Sequence, residues 1–233
     1  MKKTLSTLLT LSALSSMPLM AQQDLSITIT NLTHGIHFTP VLAAAHDTNT
    51  HLFMSGTTAS TSLRTMAEGG DIAGLSTDAQ AMGANVVENP AGGLLAPGAS
   101  TSFSLMSNNG NTRLSVTAML LPTNDGFVGA NSIEIPAEKG TYTFFLNAYD
   151  AGTEANDELI NGGGALGVLG IPFDPDNNNG SGGSGVASSD NNTMIHIHRG
   201  VIGDDDATGG SSDLSNTVHR WLNPVAQLVV TVN

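Results

Sequence analysis

The chemistry in this chain is concentrated in two short acidic stretches, Pro122-Thr123-Asn124-Asp125-Gly126-Phe127-Val128-Gly129 and Tyr149-Asp150-Ala151-Gly152-Thr153-Glu154-Ala155-Asn156-Asp157. Both offer carboxylate, amide and backbone oxygen. Gathered in a water-facing pocket, Asp125, Asp150, Glu154 and Asp157 would suit a hard cation such as Ca²⁺, which takes about six to eight oxygen ligands. Each stretch alone has a plainer account. Asp-Gly between apolar runs is a hairpin signal, because both positions tolerate positive φ, and Asp-Ala-Gly can simply close a strand. The weight lies in their conjunction.

The elements around them decide whether they meet. Thr112–Leu121 precedes the first stretch, with Leu114, Val116, Ala118 and Leu120 spaced by two. Gly140–Tyr149, β-branched and aromatic for most of its length, precedes the second. Between them lie Ser132–Ile135 and the turn Pro136–Gly140. With Ser132–Ile135 as a strand, the path runs up, down and up, and both acidic loops return to one end of a sheet.

Most other segments also read as strands. Leu25, Ile27 and Ile29 alternate with Ser26, Thr28 and Thr30, as a half-buried strand requires. Ile36–Leu42, His51–Met54, Ser102–Met106, Met194–His198 and Val225–Val232 follow, with Pro40 making an edge or a break in the first of these. A helix fits Ala59, Leu63, Met66 and Ala67, closed by Gly69-Gly70, and a second short one fits Ile72–Met82. The class is mainly β, two packed antiparallel sheets with one or two short helices. Asn161–Asn192 is dominated by Gly, Asn, Ser and Asp and reads as a long mobile loop.

Three further groups invite a chemical reading. Asp174, Asp176 and Asn178 alternate as in an EF-hand loop, but Gly180 falls one place late and Gly185 stands where the closing Glu should be. Asp204-Asp205-Asp206 with Asp213 reads as a solvated acidic face. His196 and His198, two apart on an expected strand, share a face and could bind Zn²⁺ or Cu²⁺ with His46, His51 or His219 as a third ligand. Their plainer role is as hydrogen-bonded seam histidines. The alternative functional reading is a metal-dependent enzyme with its transition metal near His196 and His198. No Gly-x-Ser-x-Gly, His-Glu-x-x-His or phosphate-cradling motif is present, and no enzyme is expected.

Residues 1–21 read as a secretory signal peptide: Lys2 and Lys3, a Leu-rich run over Leu5–Leu14, then small and polar residues to Ala21. The 212 residues from 22 to 233 then form a single domain, soluble once exported to the periplasm or beyond, with no membrane span. The full chain carries 7 Lys and Arg against 20 Asp and Glu; losing Lys2 and Lys3 leaves 5 − 20, a net charge of −15. Such a surface excludes nucleic acid and anionic lipid as partners and suits cations. The chain has no cysteine, so it folds without disulfides.

Several blocks in order resemble a known family. Ala45-His46-Asp47, Leu52-Phe53-x-x-Gly56-x-x-Ala59-Ser60-x-x-Leu63 and Met66-Ala67-Glu68-Gly69-Gly70-Asp71 resemble the first half of the spondin N-terminal domain. Pro122-x-x-Asp125-Gly126-Phe127-Val128-Gly129 and Tyr149-Asp150-Ala151-Gly152-Thr153-Glu154 resemble its two metal loops, and His198-Arg199-Gly200 with His219-Arg220-Trp221-Leu222-Asn223-Pro224 resembles its bacterial branch. The resemblance implies an eight-stranded antiparallel β-sandwich similar to C2 domains, one Ca²⁺ at an end of it, and a non-enzymatic role in adhesion or in binding an extracellular protein or glycan. Carried over position by position, the metal ligands are Asp125, Asp150 and Glu154, the last a departure from the Asp of animal relatives.

Overall fold

A computed structural model of the chain describes residues 22–108, 110–176 and 179–233. The expected signal peptide, residues 1–21, lies outside them, as does Asn178 of the EF-hand-like run.

Alternation of dry and wet positions builds the first strand, β1 (Gln23–Asn31), in which Leu25, Ile27 and Ile29 are fully buried. The remaining elements are β2 (His37–Phe38), β3 (Leu42–His46), α1 (Thr61–Gly69), α2 (Ala73–Ala81), β4 (Asn85–Glu88), β5 (Ser100–Ser107), β6 (Arg113–Leu121), β7 (Gly126–Glu134), β8 (Gly140–Asp150), β9 (His196–Ile197) and β10 (Ala226–Val232). Every strand pairing is antiparallel. The order is β4-β3-β6-β7-β8-β10-β1-β5, with β2 added on β6 and β9 on β8.

The class is therefore mainly β with two helices, and eight of its strands hydrogen-bond along one continuous path, with β2 and β9 beside it, where two packed sheets with eight strands in all were expected. The path curls until its ends nearly meet. Asn85 of β4 accepts hydrogen bonds from the Asn108 amide and the Asn111 side chain across the gap, at 3.2 and 3.0 Å. One strand belongs to both halves: β8 pairs with β10 over Gly140–Leu146 and with β7 over Asn147–Asp150.

Burial explains the composition of β6. One face (Leu114, Val116, Ala118, Leu120) lies in the core inside the curl, while Met119 and Leu121 on the other lie in a second core beneath the helices. A strand covered on both faces reads as a continuous apolar run, and only its inner face shows in the period-two pattern. The helix α1 closes that second core with Leu63, Met66 and Ala67. Ser60 caps it by accepting the Leu63 N–H at 3.1 Å, and Gly70 ends it at φ 75°.

Three expectations change. Pro40 splits Ile36–Leu42 into β2 and the start of β3. His51–Met54 is not a strand; Leu52 and Phe53 are buried as irregular chain, and the Phe53 ring packs edge-on to Phe127 at 5.0 Å. Asn85–Glu88, absent from the expected set, forms edge strand β4.

Candidate metal centre

The path through β6, β7 and β8 brings both acidic stretches to one rim, with the return strand running over Gly126–Glu134 where Ser132–Ile135 was expected. Because β6, β7 and β8 run antiparallel in sequence, the β6–β7 turn and the end of β8 share one rim, and Gly126 pairs directly with Asp150. The turn is held by Thr123, whose hydroxyl donates to the Leu120 carbonyl at 2.6 Å and accepts the Gly126 N–H at 3.0 Å. Asn124 clamps the second loop: its amide donates to Asp157 at 2.8 Å and its oxygen accepts the Glu158 N–H at 3.2 Å.

Asp125 is fully buried. Its Oδ2 accepts the N–H groups of Thr153 at 2.7 Å and Glu154 at 3.1 Å, and the Thr153 hydroxyl at 3.1 Å. Its Oδ1 has no partner. Burial, reinforced by the neighbouring Asp150 carboxylate, raises the Asp125 pKa to about 7. Two buried acids facing each other resist joint ionisation unless a cation lies between them.

Asp150 is also buried, its Oδ1 accepting Gly152 N–H and its Oδ2 the Asn156 side-chain amide, both at 2.8 Å. Gly152 makes that turn possible. Its φ is +70°, and a Cβ there would sit 2.6 Å from the Thr193 backbone. Gly152→Ala is expected to cost more than the roughly 1–2 kcal/mol of left-handed strain alone, read as a lowered denaturant midpoint.

Glu154 meets this pair through its backbone alone: carboxylate oxygens of Asp125, Asp150 and Glu154 do not all lie within 4.8 Å of one another. Its N–H binds Asp125, while its Oε2 accepts the Gly170 N–H at 2.9 Å. Burial, then the charge of Glu68, raises its pKa to about 7 against the hydrogen bonds of the Gly170 N–H and the Asn124 side chain. The charged groups acting on it are Glu68 and Asp157.

The histidine expectation resolves residue by residue. His196 is half-exposed, with Nε2 3.8 Å from Asp150 Oδ2. His198 is buried with its ring 5.0 Å from that of Trp221, itself buried as a seam residue. Its Nδ1 accepts the Gly200 N–H at 3.0 Å, and burial lowers its pKa to about 4. The third imidazoles lie elsewhere: His46 binds Ser115, His51 lies by Asn131, and His219 lies 3.5 Å from Asp174.

Asp190 escaped the sequence reading. It stands in a stretch whose composition reads as linker, and only the fold carries it to β8, where the Asn156 amide lies 3.4 Å from its Oδ2 and 2.8 Å from that of Asp150.

The other acids organise irregular chain. Asp174, Asp176, Asp204, Asp206, Asp213 and His219 line a cavity of about 320 Å³. Asp213 accepts the N–H groups of Ser181, Gly182, Gly183 and Ile160 at 2.7–2.9 Å. Burial opposes its ionisation, yet these amides hold its pKa below the usual carboxylate value. Glu158 accepts from Ile202 and Gly203 N–H and from the Ser212 hydroxyl. Gly/Asn-rich chain is thus tied to the domain through carboxylates.

The Spondin_N family model matches residues 30–158, more than half of the chain and inclusive of both acidic loops. The chain belongs to the spondin N-terminal domain family. Spondin N-terminal domains are non-enzymatic modules, typically extracellular. A search of curated proteins returned no match. Among the described residues of this spondin domain, no helix is long and apolar enough to cross a membrane.

Proposed function

We propose that this spondin domain is an exported, Ca²⁺-binding module that acts by adhesion, or by binding an extracellular protein or glycan, at the cell envelope or in the matrix. One observation carries the reading: Asp125 Oδ1, from one of the three expected ligands, is a buried carboxylate oxygen with no hydrogen-bond partner, beside the buried Asp150 carboxylate. An unsatisfied buried oxygen is costly, and a charged one more so. A hard divalent ion is the group such an oxygen fits. Asp125, Asp150 and Glu154 would hold it, supplying charge neutralisation and pinning the two loops together. The finer architecture, a C2-like sandwich with β8 shared between its sheets, belongs to the same proposal.

The test is a melting curve in Ca²⁺ and in chelator. A ligand bound only by the folded state adds about 2.7 kcal/mol at a hundredfold excess over its dissociation constant, which for a chain of this size is roughly 5–10 °C. The wild type is expected to show that shift and Asp125→Asn to lose most of it. Identical wild-type midpoints with Ca²⁺ and with chelator would overturn the reading.

A further inference from the structure

The Asp150 carboxylate has a second set of neighbours. Single ligand atoms of Asp150, Asp190 and His196 all lie within 4.8 Å of one another. Asp190 and His196 come from beyond residues 30–158, outside the stretch that the family model matches.

The tautomer of His196 is decided by its surroundings. Its Nδ1 lies 2.8 Å from the Met194 carbonyl oxygen, which can only accept, so Nδ1 carries the proton. In the neutral ring, Nε2 is then a bare lone pair facing carboxylates. That arrangement is repulsive unless Nε2 takes up a proton or a metal ion. An imidazole whose far nitrogen donates to a backbone carbonyl is the usual posture of a metal-ligating histidine. The 3.8 Å from Nε2 to Asp150 Oδ2 is too long for a hydrogen bond. It is close to the roughly 3.4 Å that separates two tetrahedral ligands at bond lengths of about 2.1 Å.

The carboxylates are held for the same purpose. The Asn156 side chain reaches both, and Asp190 Oδ1 accepts the Asn192 N–H at 3.1 Å. Beside Asp150, the fully buried Asp125 presents its unpartnered Oδ1, an independent sign that this rim takes positive charge. His198 is not a ligand: its Nδ1 is engaged by Gly200, which leaves the proton on Nε2. Asp190 and His196 are only partly buried, so an ion can enter from solvent and keep water in its remaining positions.

We infer that Asp150, Asp190 and His196 form a transition-metal site, of the class that takes Zn²⁺, Co²⁺ or Mn²⁺. One imidazole and two carboxylates are a softer set than an all-oxygen Ca²⁺ site. The site extends the rim proposed above and shares Asp150 with it, so the variants that test it leave Asp150 in place.

Metal-free protein is titrated with Zn²⁺ by calorimetry, and with Co²⁺ while its visible absorption is followed, for the wild type, His196→Ala, Asp190→Asn and Glu138→Gln. The expected result is one equivalent bound by the wild type and affinity at least roughly tenfold weaker in His196→Ala and Asp190→Asn. Glu138→Gln, an exposed acid at the opposite end of β8, keeps its affinity within a few-fold. Nitrogen-15 chemical shifts of the His196 ring report directly whether Nε2 is metallated, and metal-free melting curves show that each variant is folded. Absence of Zn²⁺ binding in the wild type, binding untouched by His196→Ala, or equal loss in Glu138→Gln overturns the inference. Ca²⁺ stabilisation lost in Asp125→Asn but kept in His196→Ala leaves the functional reading standing whichever way the Zn²⁺ result falls.

Discussion

In chelator, this protein is expected to lose stability as the pH rises from about 4 to about 7. Asp125 has its pKa raised from 3.8 to about 7 in the folded chain, first by burial and then by Asp150. The folded state therefore binds a proton across that window that the unfolded state has released, and unfolding becomes easier as pH climbs. A shift of this size is on the order of 4 kcal/mol at about 1.4 kcal/mol per unit. Glu154, raised to about 7 chiefly by burial, acts in the same direction. Asp213 works oppositely: its amide partners lower its pKa, so the stability it contributes is lost below about pH 4. The chelated protein should thus be most stable in mild acid. Saturating Ca²⁺ should invert the upper limb, because the ion replaces the proton, and Asp125→Asn should flatten it. Denaturant midpoints from pH 4 to 8, with and without Ca²⁺, check this. A chelated protein whose midpoint rises through that range would show the buried acids to be ionised without help.

The second large effect is expected at Glu158. Its carboxylate is buried and accepts the N–H groups of Ile202 and Gly203 at 2.5 and 2.9 Å and the Ser212 hydroxyl at 2.6 Å. Those three donors belong to the irregular chain between β9 and β10, and each is left without its acceptor in Glu158→Ala. An unsatisfied buried donor costs about 1–3 kcal/mol, so a loss on the order of 3–5 kcal/mol is expected. Glu158→Gln keeps one oxygen but turns an N–H₂ toward a donor, and should fall between Ala and the wild type. Thermal melts rank the three. If Glu158→Ala melts with the wild type, the carboxylate does not staple that chain.

The strand framework and the shared rim were legible in the residues because both depend on local pattern. Leu114, Val116, Ala118 and Leu120 announce an inward face, and a single return strand fixes which ends meet. The helix signal, apolar spacing from Leu63 to Ala67 closed by Gly69-Gly70, was equally local. Leu52 and Phe53 misled, since burial against α1 and Phe127 needs no strand, and apolar residues in a short run look alike in either setting. Asn85–Glu88 is a partly buried edge strand whose role is set by its neighbour β3. Asp190 and Glu158 were the least readable. Their roles rest on partners between 34 and 54 residues away, and no spacing rule connects them.

β1 and β10 lie side by side with Leu25 opposite Val232, and Val232 in turn opposes Gly140 at the start of β8. The acids stand at the other end of that eleven-residue strand, roughly 30 Å away at about 3.3 Å per residue. Chain that continues outward from Gln23 or from Val232 leaves at the foot of the domain, away from the acids. A tether or a neighbouring module attached there would hold the molecule upright, like a lamp on a post, with its acidic rim facing outward.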